Sequence, residues 1–178
     1  MRTARDRRAG WWASAGIIAA SKDDQGVTGV APDARIMPVK VLFDNGFGFM
    51  SSVISGIRYA AKRGADIINL SLGGRSGSPA LRDALEFATK KGSLVVMASG
   101  NSSDKSPIYP AAYASEFGVA VGAVDESRQM TWFSNRAVDS EISYVTAPGS
   151  SIFSTVPGGY ASKSGTSMAA PHISGVAA

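Results

Sequence analysis

The spacing of apolar residues changes along the chain between the period of a helix and that of a strand. Residues 53–61 carry apolar side chains at helical spacing, and a second helical pattern follows Ser78, which suits an N-cap with Pro79 in the first turn. A last helix is predicted to begin near Ser167. Short β-rich apolar runs predict strands at residues 36–42, 67–72, 94–98 and 119–124, with shorter pieces at 144–145 and 152–156.

This alternation of strands and helices predicts an α/β fold with a mostly parallel sheet covered on both faces, a three-layer α/β/α arrangement. Segments rich in glycine and serine lie where predicted strands end or the last helix starts, at residues 71–74, 99–101 and 165–167. Because ligands of such sheets gather at the carboxyl ends of the strands, the three segments are expected to form one site.

Composition and charge narrow the class of protein. The 178 residues carry a net charge of +4, of which Arg2, Arg5, Arg7 and Arg8 less Asp6 supply +3, so the remainder is nearly neutral. No basic stripe with interleaved aromatics follows, and nucleic acid is not expected as a partner. No apolar run reaches about 18 residues, so no membrane partner or span is expected. The absence of cysteine excludes disulfides and thiolate metal sites.

The N-terminal residues differ from the rest of the chain. Residues 1–14 combine four arginines with the pair Trp11-Trp12 and show no clear period. We therefore treat residues 1–14 as an atypical N-terminal segment and residues 15–178 as one domain. No apolar stretch follows the basic N-terminus, so the sequence predicts no signal peptide.

The most specific chemical pattern is the string GTSMAAPH at residues 165–172. A glycine before a serine permits a tight turn and close approach of a substrate to the backbone. A serine at a helix N-terminus faces unpaired N–H groups and the positive end of the helix dipole, which suits a nucleophile whose attack creates an oxyanion. The alternative is that Ser167 only caps a helix.

The string resembles the serine signature of the subtilisin-like serine proteases. Four further segments resemble that family in the same order: GVTGVAP at 26–32, VKVL at 39–42, NLSLG at 69–73 and ASGN at 98–101. The resemblance runs from about residue 16 to residue 178. It implies that the chain forms a partial, incomplete subtilisin-like peptidase domain. The activity implied is that of a serine endopeptidase, which hydrolyses an extended polypeptide through an acyl-enzyme on Ser167. No cofactor is required for this chemistry.

The resemblance also assigns roles to residues around the predicted nucleophile. It makes Asn101 the side-chain donor that binds the oxyanion together with the backbone N–H of Ser167. Substrate is expected to pair with the backbone of Ser71, Leu72 and Gly73, and the primary specificity pocket to be lined by Ala98, Ser99 and Gly100. Small residues there favour a roomy, uncharged pocket for large apolar or aromatic side chains. Without the resemblance, Asn101 is a turn residue and the glycines serve turns at strand ends.

The one histidine of the sequence, His172, is not expected to be the catalytic base. It follows Ser167 by five residues on one predicted helix, a rotation of about 140° and a rise of about 7.5 Å, so the two side chains face apart. The family also has a histidine there that is not the base, and we expect His172 to be structural.

The histidine and aspartate of the triad are not expected in this sequence. In the family a string HGTHVAG opens with the base, and the matching residues 10–16 read GWWASAG, with Gly10 in the place of that histidine. The aspartate belongs about thirty residues earlier, so Asp6 is too near. These features predict a fragment or degenerate copy with negligible protease activity by itself. The alternatives are a peptide-binding pseudoprotease and a non-functional remnant.

The sequence also bears on a calcium site and on the cellular location. Residues 21–25 occupy the place of a calcium loop in many relatives, and Asp23 and Asp24 offer the hard oxygen ligands that Ca²⁺ prefers. A solvated turn is favoured, so no metal is predicted. The family resemblance suggests an extracellular protein.

Overall fold

The computed structural model describes residues 11–138 and 141–178. Its helices are α1 (Trp11–Ala19), α2 (Met50–Lys62), α3 (Pro79–Lys90) and α4 (Thr166–Ala177), with a 3₁₀ turn at Ala111–Tyr113. Its strands are β1 (Ile67–Leu70), β2 (Leu94–Ala98), β3 (Val119–Val124), β4 (Tyr144–Pro148), β5 (Ile152–Val156) and β6 (Gly159–Lys163).

The first four strands form one parallel sheet in the order β1-β2-β3-β4, while β5 and β6 form an antiparallel hairpin. Successive side chains of a strand point to opposite faces. Accordingly, Val95 and Met97 of β2 pack with the helices α2 and α3 in one buried cluster, whereas Val96 and Ala98 pack against Ala169 of α4 in another. The predicted three-layer α/β/α arrangement with a parallel sheet is confirmed.

The helix α3 begins where the sequence predicts, and α2 covers the predicted residues 53–61 but begins three residues earlier, at Met50. The side chain of Ser78 accepts a hydrogen bond from the N–H of Leu81, with Pro79 in the first turn of α3. Leu81 and Leu85 of the same helix are fully buried, and burial of a leucine side chain contributes about 1.5–3 kcal/mol. After α2, Gly64 adopts the positive φ of a helix C-terminal cap. None of the helices described is long and apolar enough to cross a membrane.

The C-terminus of α1 is capped by the segment that follows it in the chain. The N–H groups of Gly29 and Val30 donate to the carbonyls of Ala20 and Ile17, which satisfies oxygen atoms that a helix end otherwise leaves free. A Cβ on Gly29 would lie 2.5 Å from the Ala20 nitrogen, so this close approach requires glycine. The segment at residues 26–32 therefore fixes α1 against the body of the domain.

The predicted strand at residues 36–42 is wrong: this segment forms no strand. In the described chain β1 is an edge strand that pairs only with β2. The β-like pattern has another physical cause, because Val41 packs against α2, where a Cβ on Gly56 would lie 2.4 Å from Val41 Cγ1. Apolar side chains that pack on a helix can give the same sequence pattern as a strand, and pairing with a neighbouring strand is a separate requirement.

Candidate active site

The site lies at the carboxyl ends of β1 and β2, where α4 begins. Gly165 precedes the helix with φ 149°, a backbone conformation that side chains other than glycine rarely adopt. Thr166 and Ser167 then occupy the first two positions of α4. The start of the helix is therefore as predicted, and it places the Ser167 N–H among the unpaired donors of a helix N-terminus.

Ser167 and Ser71 are linked by two hydrogen bonds in opposite directions. The Ser167 hydroxyl donates to the Ser71 carbonyl oxygen at 3.1 Å, and the Ser71 hydroxyl donates to the Ser167 carbonyl oxygen at 2.8 Å. Ser167 is partly exposed. The predicted nucleophile thus adjoins the end of β1, as the spacing of the motifs implies.

Asn101 is oriented by two hydrogen bonds from the residue before the serine. Its Oδ1 accepts from the N–H of Thr166 at 2.8 Å and from the Thr166 hydroxyl at 3.0 Å. These two bonds identify Oδ1 as the acceptor end of the Asn101 amide. The Nδ2 end is turned towards Gly165, and a Cβ added to Gly165 would lie 3.3 Å from Nδ2. In residues 11–138 and 141–178 no hydrogen bond occupies Nδ2, so it can donate to a ligand oxygen.

Thr166 is a site residue that the sequence analysis missed. It is 1% exposed, and its hydroxyl accepts from the Gly100 N–H at 3.1 Å while it donates to Asn101. One hydroxyl thus couples the loop after β2 to the start of α4. Its position between Gly165 and Ser167 in the GTSMAAPH string was the sequence signal that could have identified Thr166 as a site residue.

Asn135 is a second missed residue, and it supports the loop that carries Asn101. It is fully buried, and its Oδ1 accepts from the N–H groups of Ser102 at 2.8 Å and Asp104 at 3.2 Å. Its Nδ2 donates to the carbonyl of Ser106 at 3.1 Å. No short motif surrounds Asn135, so the sequence held no signal for this role.

The segment expected to pair with substrate continues from the end of β1. Leu72 and Gly73 make no backbone hydrogen bond within the described part of the chain, whereas the Ser71 carbonyl accepts from Ser167. A Cβ on Gly73 would lie 2.5 Å from the Ile108 side chain and 2.7 Å from the Tyr109 carbonyl. The glycine is therefore needed for packing against residues 108–109, a reason other than space for a peptide.

The residues expected to line the specificity pocket are buried. Ala98 is 3% exposed, and Ser99 is fully buried with its hydroxyl donating to the Asn135 carbonyl at 3.1 Å. Gly100 has φ 110°, and a Cβ there would lie 2.7 Å from Asn135 Nδ2. The Ser99 side chain is thus directed into the interior, and glycine at position 100 is fixed by its backbone and by contact.

His172 lies one turn further along α4 and bonds within its own helix. Its Nδ1 lies 2.9 Å from the carbonyl oxygen of Met168, to which the neutral ring donates. Burial lowers the pKa of His172 below its usual value of 6.5, and the bond to Met168 acts in the opposite direction. No contact joins its ring to Ser167 among the described residues. Gly10 and Asp6, discussed above, lie outside those residues.

Among the described residues, no three His, Cys, Asp or Glu side chains are grouped so that they could hold a metal ion. Asp23 and Asp24 are exposed, and Asp23 Oδ1 accepts from the backbone N–H of Gln25 at 3.2 Å.

Comparison with known proteins gives one consistent result. The sequence profile of the Subtilase family matches residues 13–178. Subtilisin DY of Bacillus licheniformis is 46% identical over 169 residues, covering 92% of this chain and 60% of the relative. Thermitase of Thermoactinomyces vulgaris is 46% identical over 165 residues, covering 92% of this chain and 57% of the relative.

Solved structures agree with the sequence relatives. A cold adapted subtilisin-like serine proteinase superimposes with a TM-score of 0.81 at 40% identity, over 93% of this chain and 58% of that one. Sphericase gives a TM-score of 0.84 at 35% identity, over 93% and 60%. The chain therefore spans less than two thirds of the length of these relatives. From the family profile, the sequence identities and the shared fold, we conclude that this chain belongs to the subtilase family of serine proteases.

Proposed function

We propose that this chain carries the nucleophile and oxyanion-binding half of a serine endopeptidase site, with Ser167 as the nucleophile. The observation that carries the proposal is the orientation of Asn101. Because Thr166 occupies its Oδ1, the Nδ2 group is turned towards Gly165, where an added Cβ would lie 3.3 Å from Nδ2 and 3.7 Å from the Ser167 nitrogen. Two donors near the same position suit the negative oxygen that forms when the Ser167 hydroxyl attacks a peptide carbonyl.

The polypeptide substrate is proposed to bind in an extended conformation along Leu72 and Gly73. Their backbone groups are unpaired in the described chain, and an added peptide strand can satisfy them. The Ser71 carbonyl is engaged by Ser167, so pairing is expected to begin after it. The small residues Ala98, Ser99 and Gly100 favour a large apolar or aromatic substrate side chain nearby.

The reaction also needs a group that accepts the proton of the Ser167 hydroxyl. In the described residues that proton is directed to the Ser71 carbonyl, an acceptor that is not a base at neutral pH. His172 is bonded to Met168 and does not reach Ser167. We therefore propose that this chain by itself forms the acyl-enzyme far more slowly than a protease with a complete triad. From the family alone, we also infer that the protein acts outside the cell.

A fluorophosphonate probe, which reacts with activated serines, tests both parts of the proposal. Trypsin cleavage after Lys163 would release the segment of residues 164–178, and fragmentation in a mass spectrometer would then separate Ser167 from Ser164 and Ser174. We expect labelling at Ser167 and not at the other two, at a rate at least about 10²–10⁴-fold below that of subtilisin DY, because a general base usually contributes this much. A Ser167→Ala variant is the control.

The possible outcomes separate the two claims. Rapid, stoichiometric labelling of Ser167 would show that a base acts on it and that the proposed inactivity is wrong. Labelling spread evenly over Ser164, Ser167 and Ser174 would remove the assignment of the nucleophile.

A peptide-binding pseudoprotease is the second candidate, favoured by the backbone of Leu72 and Gly73, which no described residue pairs with. It predicts that an extended peptide with a large apolar side chain binds equally to the unaltered chain and to Ser167→Ala, without cleavage, as measured by fluorescence anisotropy. A non-functional remnant is the third, and a cooperative thermal transition of the purified chain would exclude an unfolded remnant.

A further inference from the structure

Ser14, a buried serine on α1, lies close to Ser71 and to the backbone of the predicted nucleophile Ser167. Ser14 is 7% exposed, in the place where the family string HGTHVAG has valine. Its Oγ lies 3.3 Å from the Ser71 Oγ and 3.5 Å from the Ser167 carbonyl oxygen. A buried hydroxyl is normally hydrogen-bonded, and here both available partners belong to the site.

The hydroxyl of Ser71 donates to the Ser167 carbonyl at 2.8 Å and accepts from Asn69 Nδ2 at 2.9 Å. The Ser14 Oγ lies 3.3 Å from the Ser71 Oγ, and its one proton can go either to Ser71 or to the Ser167 carbonyl. Because the Asn69 Nδ2 group is a donor, the one proton of the Ser71 hydroxyl is directed to the Ser167 carbonyl. Asn69 is fixed in turn, because Ser174 donates to its Oδ1 at 2.9 Å.

We propose that the Ser71 hydroxyl, held by Ser14 and Asn69, is a positioning group that fixes the backbone of Ser167. Ser71 binds Ser167 at both ends, since its hydroxyl holds the Ser167 carbonyl and its carbonyl receives the Ser167 hydroxyl. The Ser167 N–H and Oγ are thereby set relative to Asn101. This proposal rests on the role of Ser167 as nucleophile, and it gives the side chains of Ser71 and Ser14 a function beyond backbone pairing with substrate.

A spectroscopic experiment tests the hydrogen bond without any activity. Ser167-Met168 is the one Ser-Met pair in the sequence, so a sample with ¹³C at serine carbonyls and ¹⁵N in methionine gives a single carbonyl–amide cross-peak. We expect the Ser167 carbonyl signal to move upfield in Ser71→Ala, because a carbonyl that loses its donor is less polarised. An unchanged signal in a folded Ser71→Ala would overturn the proposal.

The fluorophosphonate rate at Ser167 tests the consequence for reactivity. In Ser71→Ala we expect the labelling rate to fall by about tenfold or more, since a displacement of about 1 Å can lower a reaction rate about 10²-fold. Ser71→Thr keeps the hydroxyl, and its rate should stay within about twofold of the unaltered chain. In Ser14→Val the fall in rate should be intermediate. Ser93→Ala is the matched control, because Ser93 is 5% exposed and donates to the Ala65 carbonyl at 2.7 Å, before the start of β2 and away from the site. Its rate should not change.

Failure of the nucleophile assignment and failure of the positioning role of Ser71 give different results. If Ser167 is not labelled in the unaltered chain, the proposed function fails, and the carbonyl signal still decides whether Ser71 holds Ser167. If Ser167 is labelled equally fast in the unaltered chain and in a folded Ser71→Ala, the positioning role is wrong while the nucleophile assignment stands. Thermal unfolding of each variant establishes that it is folded.

Discussion

Thr166 donates both its N–H and its hydroxyl to the Oδ1 atom of Asn101, at 2.8 and 3.0 Å. The two residues are 65 positions apart in sequence and come from different elements. Because the Thr166 hydroxyl also accepts from the Gly100 N–H, it joins three parts of the site with one oxygen atom. The orientation of the candidate oxyanion donor thus depends on a neighbour that does not itself touch the reacting atoms.

Thr166→Val is expected to destabilise the fold and misplace Asn101. Valine fills the same volume but leaves the buried Gly100 N–H without an acceptor, at a cost of about 1–3 kcal/mol in the free energy of unfolding. Urea denaturation measures this loss. Thr166→Ser keeps the hydroxyl and should retain most of the stability and the rate of Ser167 labelling. Equal stabilities of the valine and serine variants would show that the hydroxyl bonds are unimportant.

Gly165→Ala is expected to slow the labelling of Ser167 beyond what its loss of stability explains. The substitution forces alanine to φ 149° and brings Cβ to 3.3 Å from Asn101 Nδ2. Gly159→Ala is a matched control, because Gly159 has φ 157° and no atom within 4 Å of the added Cβ. We expect a cost of about 1–3 kcal/mol in each variant.

The labelling rates separate strain from displacement of the donor. Only Gly165→Ala should reduce the rate at Ser167, by about tenfold or more, since small shifts of positioned groups are costly. Similar rates in the two alanine variants would contradict the role given to the contact between Gly165 and Asn101.

The parts of this site that the sequence predicted are local in the chain. The GTSMAAPH string placed Ser167 at the start of a helix, because a glycine before a serine and the following helical residues are neighbours. The pairing of Thr166 with Asn101, and the support of the Asn101 loop by buried Asn135, join residues far apart. Such contacts follow from tertiary packing, which residue spacing does not encode.

Strand prediction succeeded for the buried strands β2 and β3 and for β5, and it failed for β6 and for residues 36–42. The apolar runs of β2 and β3 carry their own signal because helices cover both sides of the sheet. The strand β6, Gly159–Lys163, has mostly exposed residues and gave no such pattern. Residues 36–42 have the apolar pattern of a strand but pair with no strand in the described chain. Packing of the Val41 side chain on α2 is enough to explain the apolar pattern.

The stability of the chain is expected to depend on the protonation of His172. Burial lowers the folded-state pKa below 6.5, so the unfolded chain binds the proton more readily. The stability contributed by the neutral ring is present above pH 6.5 and is lost as the pH falls below 6.5 towards the lower folded-state pKa. In His172→Gln, whose amide can still donate to the Met168 carbonyl, Tm should fall less between about pH 7 and about pH 5. Identical falls in Tm would contradict this.

Replacement of Gly10 tests whether a missing base limits the reactivity of Ser167. Gly10 lies outside the described residues, and the prediction rests on the family string, in which a histidine stands where this sequence has Gly10. A positioned general base contributes about 10²–10⁴-fold, and without the aspartate that orients it we expect Gly10→His to raise the Ser167 labelling rate by about tenfold or more. The rise should follow the deprotonation of an imidazole near pH 6.5. Gly10→Ala controls for the loss of glycine, and an equal rate in both variants would show that a base alone does not restore the site.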